Sequence, residues 1–363
     1  MTSLRAARVC LVLFALAGCR RTATPPPEDH AKGGAAKPRP PTPEDWTALE
    51  LPAPLAKLLE GGKWDATPAG FRIVTLSFLA DACATIAAHE PSRRAAGAAC
   101  VTRALELARK TRPPGLRVER ADHGLWLSHF ALILGAADRL GPCPDAKEHE
   151  EIATALARRA LREPTAHVPS FPDSALRFPA DQTATLASLA RYDRAHAAHL
   201  ADEPLRRWRA YVLEKAMDPK LGLPWSEATG KAKGARDPRG CALSWQTRYL
   251  NELDPTLAGQ WWDRYKHAYL VDKVVLVGFR EWPPGRERPA DVDSGPIVQG
   301  VGSAATALAI SAARATGDNI LARRLEATAS LVETAAKADP KLAREASTDL
   351  AAAILYVGKH PPP

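Results

Sequence analysis

Extended-strand signals are almost missing from this 363-residue chain. Only 271–279, with Val274, Val275, Leu276 and Val277, reads as extended, which points to an all-α fold. There is no CxxC pair and no Cys/His cluster at ligand spacing, so the pattern offers no metal site. Nucleophile elbow, phosphate loop, HExxH box and dinucleotide fingerprint are all absent, and nothing calls for an organic cofactor. No basic run is interleaved with aromatics. The formal charge of +8, or +6 without Arg5 and Arg8, is modest for this size and argues against nucleic acid as a partner. No Pro-rich linker interrupts the chain after residue 43, so 44–363 reads as a single domain.

What is present begins with a leader. Residues 1–18 combine Arg5 and Arg8, an apolar stretch over 9–17 and the box Leu16, Ala17, Gly18, Cys19. The stretch is too short to cross a bilayer as a mature helix. The arrangement resembles the signal peptide of bacterial lipoproteins. That resemblance implies cleavage before Cys19, diacylglycerol on its sulfur and a palmitate-like acyl chain on its amine, which together anchor the protein to a membrane of the cell envelope. Arg20 stands where an inner-membrane retention signal would place Asp, which favours the outer membrane. An ordinary secretory leader with a chance cysteine is the competing reading. Residues 19–43, with Pro25, Pro26, Pro27, Pro38, Pro40, Pro41 and Pro43 and no periodic apolar positions, read as a disordered tether.

Beyond Cys10 and Cys19, four cysteines remain: Cys83, Cys100, Cys143 and Cys241. Cys83 and Cys100 lie eight residues before and nine after Pro91, the expected turn of a helical hairpin. They either face each other as a disulfide, which an exported compartment allows, or serve as small apolar fillers on Ala-rich helices.

Helical segments alternate in character. Segments 71–89, 124–137, 181–189, 240–250 and 295–313 are poor in charge, whereas 92–110, 145–163, 202–217, 255–270 and 318–338 carry charged stripes. A helix apolar all round is buried, and one with a polar stripe faces water. The charge-poor segments start near 69, 123, 181, 240 and 295, at intervals of 54, 58, 59 and 55 residues, as repeated hairpins do. A last helix over 341–358, with 44–60, completes six pairs. The expectation is an (α/α)6 toroid of six helical hairpins, inner helices wrapped by outer ones. The uncharged 294–313 imitates a membrane span, but its Gly, Ser, Ala and Thr content, with Gln299 inside, predicts a tightly packed inner helix.

The long connections 111–122, 164–180, 218–239 and 273–294 all lead into inner helices, so a toroid gathers them at one end, where functional residues collect. Each ends in polar groups: Asp122 and His123, Asp181 and Gln182, Asp237 and Arg239, Asp291 and Asp293. Asp is also a preferred helix cap, and capping competes with function at each position. Asp293 or Ser294 before Gly295 and Pro296 is the expected start of a helix. Asp291 and Asp293 pair two carboxylates, so one caps while the other does acid–base work. Arg280, Glu281 and Trp282 lie upstream on the same loop, and Trp225 and Glu227 on the preceding one. Carboxylates beside aromatic rings suit sugars or other hydroxylated ligands. His129 and Asp81, inside apolar helices, either face the cavity or, as the favoured reading, are hydrogen-bonded core residues.

The alternation resembles the six-hairpin toroid superfamily, which includes glycosidases, lyases and terpenoid-acting enzymes. More narrowly, FPADQTATLASLARYD (178–193), PRGCALSWQTRYL (238–250), GFREWPPG (278–285) and DVDSGPIVQGVG (291–302) resemble bacterial proteins related to the linalool dehydratase/isomerase domain, over roughly 120–310. That family uses a cysteine pair with Tyr, Asp and His. The two nearest mature cysteines here are 17 positions apart, so the resemblance implies the toroid and an acidic cavity mouth rather than that chemistry. The leading expectation is a lipid-anchored acid–base hydrolase or lyase on a glycan or other hydroxylated substrate. Asp181, Asp291, Asp293 and Glu281 are its carboxylates, and Asp122, His123, Gln182, Trp225, Glu227, Arg239, Arg280, Trp282 and Gln299 contact the ligand. The alternatives are a non-catalytic envelope lipoprotein that binds a glycan or peptide at the same mouth, and a scaffold for another protein. No sequence signal bears on oligomeric state.

Overall fold

A computed structural model describes residues 42–360, apart from 62–63, 65–66, 142, 144, 232–233, 274–275 and 339–347. The leader, Cys19 and the tether through Pro41 lie outside the described residues, and Pro40–Pro363 forms one compact unit.

The chain is mostly helical. The helices are α1 (Pro43–Trp46), α2 (Ala53–Leu59), α3 (Arg72–His89), α4 (Arg94–Lys110), α5 (Gly124–Asp138), α6 (Ala146–Arg162), α7 (Pro179–His196), α8 (Asp202–Lys215), α9 (Gly240–Leu253), α10 (Pro255–Tyr269), α11 (Ser303–Ala315), α12 (Asn319–Ala338) and α13 (Asp349–Lys359). Two short antiparallel hairpins interrupt them: β1 (Leu270–Asp272) with β2 (Val277–Phe279), and β3 (Ile297–Val298) with β4 (Val301–Gly302). The extended segment expected at 271–279 is thus the first hairpin, with its residues 274–275 outside the described set.

Burial follows the expected alternation. Every residue from Ile73 to Ala87 in α3 and from Gly124 to Ala136 in α5 is buried. Helix α6 instead buries a single stripe, including Ile152, Leu156 and Ala160. The charge-poor helices pack against one another in order: α3 on α5, α5 on α7, α7 on α9, α9 on α11, α11 on α13, and α13 on α3. Each charged helix lies against its chain neighbour, α4 on α3, α6 on α5, α8 on α7, α10 on α9 and α12 on α11, and α8 also touches α6. Cys83 and Cys100, both fully buried, form a disulfide between α3 and α4 with Cα atoms 6.2 Å apart. By length and composition the segment Ala69–His89 passes for a membrane span, but 83% of its apolar window is buried inside the protein, as in a core helix.

The interior also holds charge. Asp81 on α3 accepts hydrogen bonds from Arg191 (2.7 and 3.1 Å), Arg139 (3.0 Å) and Arg248 (2.5 Å). Burial opposes its ionisation, but the Arg191, Arg139 and Arg248 guanidinium groups outweigh it and hold the carboxyl well below its ordinary range. His129 on α5 is fully buried, with Nδ1 2.5 Å from Ser77 Oγ, and burial depresses its pKa to about 3, so the ring is neutral. Both are core residues.

The fifth inner helix departs from expectation. It begins at Ser303, not near 295, and 294–302 forms a turn and the β3–β4 hairpin. Asp291 Oδ1 accepts from the backbone N–H groups of Asp293 and Ser294 and so closes a turn, not a helix start. Glycines and proline supplied no apolar period that could separate loop from helix here. Gln299, expected inside that helix, sits exposed at the hairpin tip with φ 52°, where it accepts from Lys273 Nζ at 3.4 Å. The last helix begins at Asp349 instead of 341, and 341–347 lies outside the described residues.

Candidate active site

The long connections interlock by backbone hydrogen bonds. Gly124 N–H donates to Pro169 O (2.7 Å), Ala228 N–H to Arg177 O (2.7 Å) and Gly240 N–H to Glu281 O (2.8 Å). These bonds tie the starts of α5 and α9 to the loops 164–178, 218–239 and 280–302. Gly240 is required by the closeness of this approach, since a Cβ there would collide with the Arg280 carbonyl oxygen and with Ala305 Cβ.

Arg239, the residue before α9, is the hub. Its Nε donates to Glu281 Oε1 (2.8 Å), Nη2 to Asp291 Oδ1 (2.7 Å) and Nη1 to Asp293 Oδ2 (3.4 Å). Its guanidinium carbon stands 4.7 Å from the Trp282 ring centre, and that of Arg288 stands 5.4 Å from it. Glu281 is fully buried, and its oxygens also accept from Cys241 Sγ (3.0 Å) and Cys241 N–H (3.2 Å). Burial pushes the Glu281 pKa up against the pull of Arg239, and burial together with the Glu281 charge pushes the Cys241 thiol far up, so that it remains a donor.

Asp181 lies in the first turn of α7 and accepts from Ser170 Oγ at 2.5 Å. Desolvation raises its pKa to about 6; the Ser170 bond opposes this and the nearby Asp293 carboxylate adds to it. Desolvation and Asp291 also raise Asp293, against Arg239. Asp291 moves the other way: desolvation opposes its ionisation, but bonds from Arg239 and the Ser294 and Asp293 amides prevail, and its pKa is lowered.

Beside this network is a pocket of about 350 Å³, lined by Phe178, Ser226, Glu227, Arg239, Trp282, Arg288 and Asp291 among others. Trp282 is 8% exposed, and its indole N–H has no hydrogen-bond partner among the described residues. Of the expected residues, Glu227, Arg239, Trp282 and Asp291 line this pocket; Glu281 and Asp293 join it through Arg239, and Asp181 through its interaction with the Asp293 carboxylate. The other candidates have the following partners. Asp122 Oδ1 meets His123 Nδ1 at 3.0 Å, and neither lines the pocket. Gln182 Oε1 accepts from Val168 N–H (2.8 Å) and holds the 164–178 loop. Trp225 lies 5.0 Å from the Arg236 guanidinium carbon. Arg280 bridges to Val301, and exposed Gln299 stands apart. Glu227 is buried, with its oxygens taken by the Arg177, Thr229 and Lys231 amides and the Thr229 hydroxyl.

No expected Asp is the N-cap of an inner helix: His123, Phe178, Arg239 and Gly302 hold those positions in α5, α7, α9 and α11. Asp237 pairs instead with Arg286 and Arg288. Sequence reasoning missed Arg288, Ser170 and Phe178, whose only signal was a place on the long loops. No protein-family model matches this chain, and no curated protein is significantly similar to it.

Proposed function

We propose that the chain is an (α/α)6 toroid whose loop end carries an acid–base site, in an envelope lipoprotein anchored through Cys19. The order of inner-helix packing, with α13 returning to α3, supports the toroid. The leader and Leu16–Cys19 box support the anchor.

The carrying observation is the pairing of Asp181, with its pKa raised to about 6, and Asp293 beside it, while Asp291 is driven down. Two carboxyls that interact directly, one of them raised to about 6, can divide the acid and base roles between them. The hydrogen bonds of the four acids divide them into two pairs. Glu281 spends both oxygens on Arg239 and Cys241, and Asp291 Oδ1 takes three donors, so these two position Arg239 and the turn. Asp181 and the half-exposed Asp293 are left for chemistry. Asp181 near neutrality holds the proton for a leaving oxygen, and Asp293 takes one from water or from a substrate carbon. Trp282, buried with the Arg239 and Arg288 guanidinium groups over its ring, gives the pocket a rigid aromatic wall beside these acids. The reading is a hydrolase or lyase acting on a glycan or other hydroxylated substrate, with no cofactor in the chemistry.

The test is incubation of the protein with a panel of cell-wall and other glycans, scoring new reducing or unsaturated ends. Product formation lost in Asp181→Asn and Asp293→Asn, with folding retained, is the expected result. A second reading, a non-catalytic binder of a glycan, peptide or protein, draws on the Arg239–Trp282–Arg288 stack in the pocket wall. It predicts that the ligand binds and no product forms in any variant.

A further inference from the structure

At the opposite end of α7 from Asp181, three helices bring together a different set of groups. Asp138 is the last residue of α5, His149 lies in the first turns of α6, and His196 is the last residue of α7. His149 Nδ1 is 2.8 Å and His196 Nε2 is 3.2 Å from the same oxygen, Asp138 Oδ2. The three donor atoms all lie within 4.8 Å of one another. Fifteen helical residues separate Asp181 from His196, about 22 Å of rise, so the cluster is independent of the mouth and of its reading.

We infer that Asp138 Oδ2, His149 Nδ1 and His196 Nε2 form a binding site for a divalent transition cation of the zinc class. Two imidazole nitrogens and one carboxylate oxygen are the donor set such ions take, at about 2.0–2.2 Å each, which places tetrahedral ligand atoms roughly 3.3 Å apart. Both imidazoles turn to one oxygen, and the edges seen at 2.8 and 3.2 Å need only a small opening to admit an ion.

The burial is graded as a three-ligand site requires. The His149 side chain is 0% exposed and that of Asp138 6%, whereas that of His196 is 27% exposed and leaves a way in from solvent. Tyr192 packs against both rings, with centroids 4.9 Å from His149 and 4.4 Å from His196, and restricts their orientation. The tautomer of His149 bears on what faces Asp138. Nε2 is buried and has no hydrogen-bond partner among the described residues. If Nδ1 donates to Asp138, a lone pair is left unmet at Nε2. If the proton sits on Nε2, the Nδ1 lone pair faces a carboxylate oxygen, an arrangement that a cation between them relieves. The carbonyl ends of α5 and α7, which favour positive charge, meet here and face the amino end of α6, which opposes it. Arg191, near Gly135 and the His149 ring, is already engaged by Asp81 and Glu252.

Isothermal titration of the full chain with zinc chloride at pH 7.5 tests the site, and the visible absorption of added cobalt(II) reports its geometry. One ion per chain with Kd below about 1 µM and tetrahedral cobalt bands are the expected results. Both His196→Ala and Asp138→Asn should weaken uptake at least tenfold, as loss of a ligand does. His199→Ala, an exposed histidine paired with Asp202, should leave it unchanged. Because His196 is the most exposed of the three, its variant keeps the test decisive even if Asp138→Asn fails to fold. No uptake at micromolar zinc, or uptake equal in the His196→Ala chain, overturns the proposal.

Discussion

Replacing Asp181 with asparagine should stabilise the protein at alkaline pH and leave it little changed in acid. From an ordinary value of 3.8 the carboxyl rises to about 6, so the folded chain binds this proton more tightly than the unfolded chain does. A group shifted upward contributes its full stability below the unfolded pKa and loses it as pH rises through the folded value. At 1.36 kcal/mol per tenfold change in proton affinity, the upward shift corresponds to at most about 3 kcal/mol, and to about 1–3 kcal/mol once screening at the partly exposed carboxyl is allowed for. Asparagine carries no such charge, and its carbonyl still accepts from Ser170. Urea unfolding at pH 4 and pH 8 measures the effect. The stability of Asp181→Asn relative to the native chain should rise by about 1–3 kcal/mol between the two. A difference that is flat with pH, or that falls, would refute the assignment of a strained, proton-holding carboxyl and with it the acid role.

Other expectations follow from the packing. Asp81→Asn leaves Arg139, Arg191 and Arg248 without their shared carboxylate and should cost about 3–5 kcal/mol in chemical denaturation. Because the Asp81 pKa is depressed, its contribution is present above about pH 4 and fades as pH falls toward the folded value, so the native chain should lose stability in acid and the variant much less of it. Gly240→Ala drives a methyl group into the Arg280 carbonyl and should destabilise by about 1–3 kcal/mol, read as a lower urea midpoint, while separating Arg239 from Glu281. The Cys83→Ala/Cys100→Ala pair releases a link across 17 positions and should cost about 3 kcal/mol, checked by the same titration.

Helices α3 and α5 were readable because their lack of charge is the imprint of burial on all sides, and α6 because its stripe is the imprint of water on one face. The entrances of α7 and α9 were readable from the long loops before them. The segment 294–302 was not, since Gly295, Pro296, Gly300 and Gly302 make no period and small residues suit a turn as well as a packed helix. The caps were misread for a related reason. Asp is a good cap in isolation, but here the loops supply backbone partners such as Pro169 O and Glu281 O to the helix starts, and the carboxylates turn to Arg239, Ser170 and Arg288 instead.

Apolar and charged positions along the chain by themselves determined which helices face inward, where the hairpins turn and which loops are long, because burial and solvation act residue by residue. Which acids share Arg239, which carboxyl is raised toward neutrality, and how His149 and His196 come to share one oxygen of Asp138 were decided only by tertiary structure. Those arrangements join residues 11 to 58 positions apart or more, and no local pattern encodes the distances and the shielding from water that set their chemistry.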